Sequence, residues 1–368
     1  MMKRSLRQKL HHGLASATIA GLLVAPASPA LAADAIAARP NQVTGEEIND
    51  AQRQSVERGL AWLASKQAAD GSYGSGGGFQ KHAGITALAA LAFMQAGNLP
   101  DRGKYGQNVK RCLDFVLASC QPSGLITSDT SHGPMYGHGF ATLFLGEVYG
   151  MTQDENVKEP LQRAVRLIQT TQNPEGGWRY QPAPLDADIS VTICQVMALR
   201  AARDAGLKIE KTVIDKSIQY VKNCQNDDGG FSYVANNGGG GGGSGFARSA
   251  AGVAALYYAG VFEGNDLDRG LKYMQGFIPQ GGANRNNPEM EGHYFYGHYY
   301  AVQAAFLAGG DYWKTYYPAI RDQLVARQTP RGNWDDSVSE DYGTAMALII
   351  LQMPNRYLPV YSGKGPGG

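Results

Sequence analysis

The chain is poor in cysteine, histidine, tryptophan and net charge. Its 368 residues include four Cys, four Trp and seven His, and 33 Lys and Arg nearly cancel 32 Asp and Glu to leave a formal charge of +1. A balance so close to zero offers little to a nucleic-acid backbone, so no nucleic-acid partner is expected. Four scattered Cys are not a disulfide scaffold. Cys112 and Cys120 fall on one expected helix, ~12 Å apart at a rise of 1.5 Å per residue, which is too far to bridge. Together with Cys194 and Cys224 they read as buried apolar side chains. Beyond the amino terminus no stretch reaches ~20 uninterrupted apolar residues, so no transmembrane segment is expected. Phosphate-loop chemistry is also absent. The Gly-rich tracts at Gly74–Gly78 and Gly238–Gly243 are not followed by Lys-Ser/Thr, and they read as flaps at one mouth of the fold.

What is present begins with Lys3, Arg4, Arg7 and Lys9. An apolar run from Gly13 to Val24 follows, and then Ala30-Leu31-Ala32. This pattern predicts a cleaved signal peptide over 1–32 and export to the periplasm or the extracellular space. Residues 33–48 read as a linker, 49–355 as the folded domain, and 356–368 as a disordered Gly/Pro tail.

The organising feature is a phrase that returns about every fifty residues: Gln, then Gly, then an aromatic. It stands at Gln67…Gly71-Ser72-Tyr73, Gln172…Gly176-Gly177-Trp178, Gln225…Gly229-Gly230-Phe231 and Gln328…Gly332-Asn333-Trp334. Gln121…Gly124-Leu125-Ile126 is one residue short, and Gln280-Gly281-Gly282 is degenerate. A fixed period of this size means one supersecondary unit copied six times. Before each Gln lies an amphipathic helical pattern, as in 161–168. After each aromatic comes a helix that is small and apolar nearly all round, as in 191–199 and 344–351. Wet helices outside and dry helices inside, closed on themselves, predict an all-α (α/α)6 toroid in a single domain.

Aligning the inner helices on Thr86, Thr142, Thr192, Ala251, Val302 and Thr344 puts His82, His138, Asp188, Ala247, His298 and Glu340 four residues earlier. Arg248 and Asp341 follow next. In a ring these residues share one mouth. Acids there also serve as helix caps, a role that does not suit charged imidazoles. His82, His138, Glu340 and Asp341 are therefore candidate ligand-binding residues. Tyr296 and Tyr299 join them from the aromatic cluster at 294–300, which either packs the core or forms a wall for a ring-shaped or cationic ligand.

The Gln-Gly-aromatic turns resemble the repeat of the squalene/oxidosqualene cyclases and of protein prenyltransferase β-subunits, over roughly 50–355. The resemblance implies two chemistries. Class II cyclases protonate their substrate from an Asp-x-Asp-Asp motif. Asp186-Ala187-Asp188-Ile189 keeps the first two acids, which makes Asp188 and Asp186 the catalytic candidates, with Ile189 in place of the last Asp. Prenyltransferases bind zinc through Asp-x-Cys and a later His. Asp188 and His298 match, with Ser190 in place of the thiol, so zinc is the cofactor the resemblance offers. Because each motif lacks a key member, the expectation is a toroid that binds an apolar, isoprenoid-like ligand in its central cavity without the family's catalysis. The alternatives are an active cyclase or prenyl-transfer enzyme using Asp188, and carbohydrate processing at the acidic mouth.

Overall fold

The alternation of half-wet and fully dry helical segments becomes twelve α-helices in a computed structural model that describes residues 47–74, 80–128, 133–236, 241–279 and 293–361. The amphipathic segments form α1 (Asp50–Lys66), α3 (Gly106–Ala118), α5 (Glu155–Thr170), α7 (Lys211–Asn223), α9 (Asn265–Gln275) and α11 (Gly310–Arg327). The dry segments form α2 (Ala83–Gln95), α4 (Met135–Thr152), α6 (Ile189–Asp204), α8 (Phe246–Ala259), α10 (Tyr294–Ala308) and α12 (Glu340–Leu351). Every residue of α2 is buried, whereas α3 buries only a stripe of Gly106, Val109, Cys112, Leu113 and Val116. Among the described residues no β-strand forms; backbone pairing outside the helices is confined to isolated bridges such as Trp178 with Asp188.

The dry helices close a ring. α2 packs on α4, α4 on α6, α6 on α8, α8 on α10, α10 on α12, and α12 back on α2. The outer helices seat in the seams of this ring; α7, for instance, touches both α6 and α8. Closure removes the two open ends that a linear array would need to cap.

The repeated turn is the fastener. Gln172 Nε2 donates to Gly176 O (2.9 Å) in its own turn and to Val213 O (2.8 Å) at the start of the next outer helix. Gln67 makes the same pair with Gly71 O and Asn108 O, and Gln225 with Gly229 O and Asp266 O. Gln328 closes the ring through Gly332 O and Ser55 O. Each amide thus ties one repeat to the next. The Gly of the turn is required twice over. Gly176 sits at φ +103°, and a Cβ there would lie 2.2 Å from Lys216 O. The aromatic reaches back to the outer helix. Trp178 Nε1 donates to Ile168 O, Trp334 Nε1 to Leu324 O, and Tyr73 Oη to Leu63 O, at 2.7–2.9 Å.

Packing continues past the expected domain end at 355. A 3-10 turn at Met353–Asn355 leads to another at Pro359–Tyr361, and Leu358, Val360 and Tyr361 are fully buried. The Val360 N–H donates to the carboxyl of Glu147 near the carboxyl end of α4. Residues 356–361 are therefore part of the fold, because three apolar side chains there find burial. At the other end, Glu47 holds α11: Trp313 Nε1 donates to its side chain and Arg321 to its carbonyl. The expected signal peptide, the Gln280 turn, most of the first Gly-rich tract and half of the second lie outside the described residues.

Candidate functional site

The inner helices start at one mouth, and what closes each start decides which side chains face the opening. In five of the six inner helices a hydroxyl or ring one turn in accepts from the backbone of the repeat's aromatic position. Tyr73 N–H donates to Thr86 Oγ1, Trp178 N–H to Thr192 Oγ1 and Trp334 N–H to Thr344 Oγ1. In the other repeats the acceptor differs. Ile126 N–H donates to His138 Nδ1, and Phe231 N–H to Ser249 Oγ. His138 therefore occupies the threonine position itself, and Ser249 is the fourth repeat's equivalent. The alignment on Thr142 and Ala251 was displaced by four and two residues, which moved His138 to the mouth on paper only.

His138 is fully buried, and burial lowers its pKa to about 4, so it is a neutral acceptor in the core. His298 is equally enclosed, by Tyr294, Phe246 and Tyr316, with Nδ1 2.6 Å from Tyr316 Oη; burial lowers its pKa to about 3. His82 caps α2, its Nδ1 accepting from Ile85 N–H. Asp341 is buried in the ring-closing seam and accepts from Gly74 N–H at 2.8 Å. Glu340 pairs with Arg331 on the surface. Tyr299 is buried on the barrel axis, edge-on to Tyr300 and Phe140. Of the expected ligand-binding residues, Tyr296 alone lines the cleft described below.

The catalytic candidates meet at one cation. Asp188 is the N-cap of α6: Oδ1 accepts from Ser190 N–H and Val191 N–H, both 2.9 Å, and from Ser190 Oγ at 2.5 Å. Its Oδ2 lies 3.7 Å from Arg179 Nε, and Arg179 Nη1 also binds the exposed Asp186 at 2.7 Å. Asp188 has no solvent exposure. Burial raises its pKa above the ordinary aspartate value, against the opposing pull of Ser190, the Val191 amide, Tyr233 and Arg179.

In front of Ser190 lies an open cleft of about 420 Å³ lined by Tyr136, Tyr180, Ser190, Tyr233, Phe246, Arg248, His293 and Tyr296, with the backbone at 245–247. The starts of α4, α6, α8 and α10 all contribute. Ser190 Oγ is bonded to Tyr136 Oη, Tyr180 Oη to Tyr233 Oη, and Tyr296 Oη donates to Ser190 O at 3.1 Å. The Arg179 guanidinium lies 5.4 Å from the Tyr180 ring centroid and 5.8 Å from that of Tyr233. Burial pushes the Tyr136, Tyr233 and Tyr296 phenols upward, so they stay neutral. Behind the cleft the axis is filled. Cys194 Sγ meets Tyr300 Oη at 3.3 Å, and Tyr258 Oη donates to Gln303 at 2.5 Å.

Sequence reasoning missed Tyr180 and Tyr233, although both stand eight residues after their repeat's Gln, as does Asp336 in the last repeat. Asp336 is half-buried, and burial raises its pKa.

Asp188 and His298, the pair offered for zinc, each have one atom engaged, Oδ1 by the helix start and Nδ1 by Tyr316, and one buried atom without a hydrogen-bond partner, Oδ2 and Nε2. Among the described residues no three His, Cys, Asp or Glu side chains gather as a metal requires. No described helix is long and apolar enough to cross a membrane.

A closed ring of six helical hairpins, with a tyrosine-lined cleft where the inner helices begin, defines an α/α toroid. Two family models match the chain: the squalene-hopene cyclase C-terminal domain over 143–306 and the prenyltransferase alpha-alpha toroid domain over 30–125. Over those residues the chain is similar to both domain families. No curated protein sequence matches it. Among solved structures, the GH76A alpha-1,6-mannanase of Salegentibacter is similar at a TM-score of 0.62 and 10% identity, covering 82% of this chain and 98% of that one. The type II terpene cyclase MstE of Scytonema is similar at 0.57 and 13%, covering 84% and 99%. A protein from Actinoplanes is similar at 0.59 and 15%, covering 83% and 99%. At these identities the likeness is one of fold.

Proposed function

We propose that the protein is an exported binding toroid that takes a ring-bearing small molecule in the cleft at its mouth, without acid-initiated cyclisation. The observation behind this is the position of Asp188. It is fully buried behind Ser190, one oxygen is committed to helix amides and the other faces Arg179, and it does not line the cleft. An acid that delivers a proton to an alkene must reach the substrate. The expected ligand position shifts from lumen to mouth, because side chains from α4, α6, α8 and α10 meet on the axis, while Tyr136, Tyr180, Tyr233 and Tyr296 leave open volume in front of them. A cleft of that size, with aromatic walls and a few polar groups, suits a compact ligand stacked on tyrosine faces.

The test pairs binding with turnover. Saturation-transfer NMR against a panel of monosaccharides, aromatic acids and isoprenoid alcohols should give a ligand whose signal is lost in Tyr180→Ala and Tyr233→Ala, with circular dichroism unchanged. Incubation with squalene should give no cyclic product. A cyclic product that disappears in Asp188→Asn would refute the proposal. Amino-terminal sequencing of the exported protein should begin at Ala33.

A further inference from the structure

The cleft holds one cation, Arg248, that no acid among the described residues balances. Arg179 is occupied by Asp186 and Asp188, but Arg248 has no ion pair or hydrogen bond among the described residues, and its Nε is buried without a partner. The guanidinium folds back over the start of its own helix. Gly245 is the N-cap of α8 and supplies no capping side chain. A Cβ at Gly245 would lie 3.0 Å from both Arg248 Cζ and Nη2, so glycine makes the space in which the guanidinium rests. A cation over the positive end of a helix dipole is unfavourable, and a buried N–H with no acceptor adds to the cost. The other polar groups of the cleft cannot relieve it. The Ser190 hydroxyl is engaged by Asp188 and Tyr136, and the Tyr180 and Tyr233 hydroxyls bond one another. The missing complement is an anion carried by the ligand.

We infer that the ligand of this cleft bears a carboxylate, held by the fork of Arg248 at the start of α8, on a ring that stacks against the tyrosines. The inference rests on the binding reading above and specifies its ligand class. The planar guanidinium offers parallel N–H donors that match the two oxygens of a carboxylate, and the α8 amides 246–248 add donors with no competing side-chain cap. The aromatic walls supply contact area for the body of the ligand, so neither a free anion nor a neutral ring would use the whole cleft.

The experiment uses matched probes on the full chain: glucuronate against glucose, phenylacetate against 2-phenylethanol, and phenyl phosphate as the phosphate arm, each titrated calorimetrically or by NMR. In at least one pair the carboxylate should bind about tenfold or more tightly than its neutral partner, the worth of a charge-assisted hydrogen-bond pair. That preference should weaken with added salt, disappear in Arg248→Gln, and survive in part in Arg248→Lys, which keeps the charge and controls for folding. Equal binding of charged and neutral partners overturns this inference and leaves the binding reading intact. A preference that persists in Arg248→Gln overturns the role of Arg248. Phenyl phosphate binding more tightly than phenylacetate overturns the carboxylate. Absence of binding by every probe at millimolar concentration overturns both readings together.

Discussion

Replacing Asp188 separates a structural carboxylate from a catalytic one. Asp188→Ala removes the acceptor for the amides of Ser190 and Val191, both 2.9 Å from Oδ1. Loss of an N-cap costs about 1–2 kcal/mol, and a buried donor left without a partner adds about 1–3 kcal/mol. A total of roughly 2–5 kcal/mol is expected. Asp188→Asn keeps a side-chain oxygen for both amides and is isosteric with the protonated acid. Its cost follows the ionisation of the native group. Burial raises the folded pKa above the unfolded value of 3.8, so the folded state binds the proton more tightly. The contribution from that protonation is complete below 3.8 and is lost as pH rises through the folded pKa. Relative to wild type, Asp188→Asn should therefore be more favourable at neutral pH than at acid pH, and at every pH it should cost less than Asp188→Ala. Urea denaturation of the three proteins across the acid-to-neutral range measures all of this. If Asp188→Ala unfolds at the wild-type urea midpoint, or Asp188→Asn is the more damaging substitution at neutral pH, the carboxylate is not the helix cap described and its reassignment away from catalysis fails.

Two further outcomes follow from the same geometry. Gln172→Leu should lose one hydrogen bond within its turn and one to the next repeat, and orphan Gly176 O and Val213 O, costing about 2 kcal/mol or more by chemical denaturation; an unchanged midpoint would mean the fastener holds nothing. Acid should weaken the fold through two imidazoles whose pKa values burial depresses from 6.5 to about 4 at His138 and about 3 at His298. Because both are lowered, their contribution is complete above pH 6.5 and is lost as pH falls toward 3, on the order of 3 kcal/mol for His138 alone. Thermal melts in that window should show a steep acid limb that His138→Thr makes shallower.

The architecture was legible in the sequence because its determinant is periodic and local. One Gln, one Gly and one aromatic, complete in four of the six repeats, specify a turn, and the contrast between half-wet and dry helices specifies which layer each enters. The candidate site was legible only in part. At Asp188 the acid and its helix start coincide in the repeat-based register, and the structure makes it the N-cap of α6, buried behind Ser190. At His138 the register failed, because a threonine hydroxyl and an imidazole nitrogen can accept the same kind of hydrogen bond, and alignment by residue type does not see that equivalence. The cleft itself was hidden for a different reason. Its walls come from positions just after the repeat's aromatic, Tyr180 and Tyr233, and from the first turns of neighbouring inner helices, Tyr136 and Tyr296. These residues are far apart along the chain and become neighbours only through ring closure. The periodicity that reveals the scaffold therefore draws attention to the residues all six repeats share, which here are fasteners, while ligand recognition falls to positions where the repeats differ. Arg248 is the clearest instance: it follows a glycine-capped helix start, whereas α2, α6 and α12 begin with His82, Asp188 and Ser339 as caps. In a closed repeat protein, departure from the shared pattern at a common rim is thus the more direct guide to function, and the pattern itself is the guide to stability.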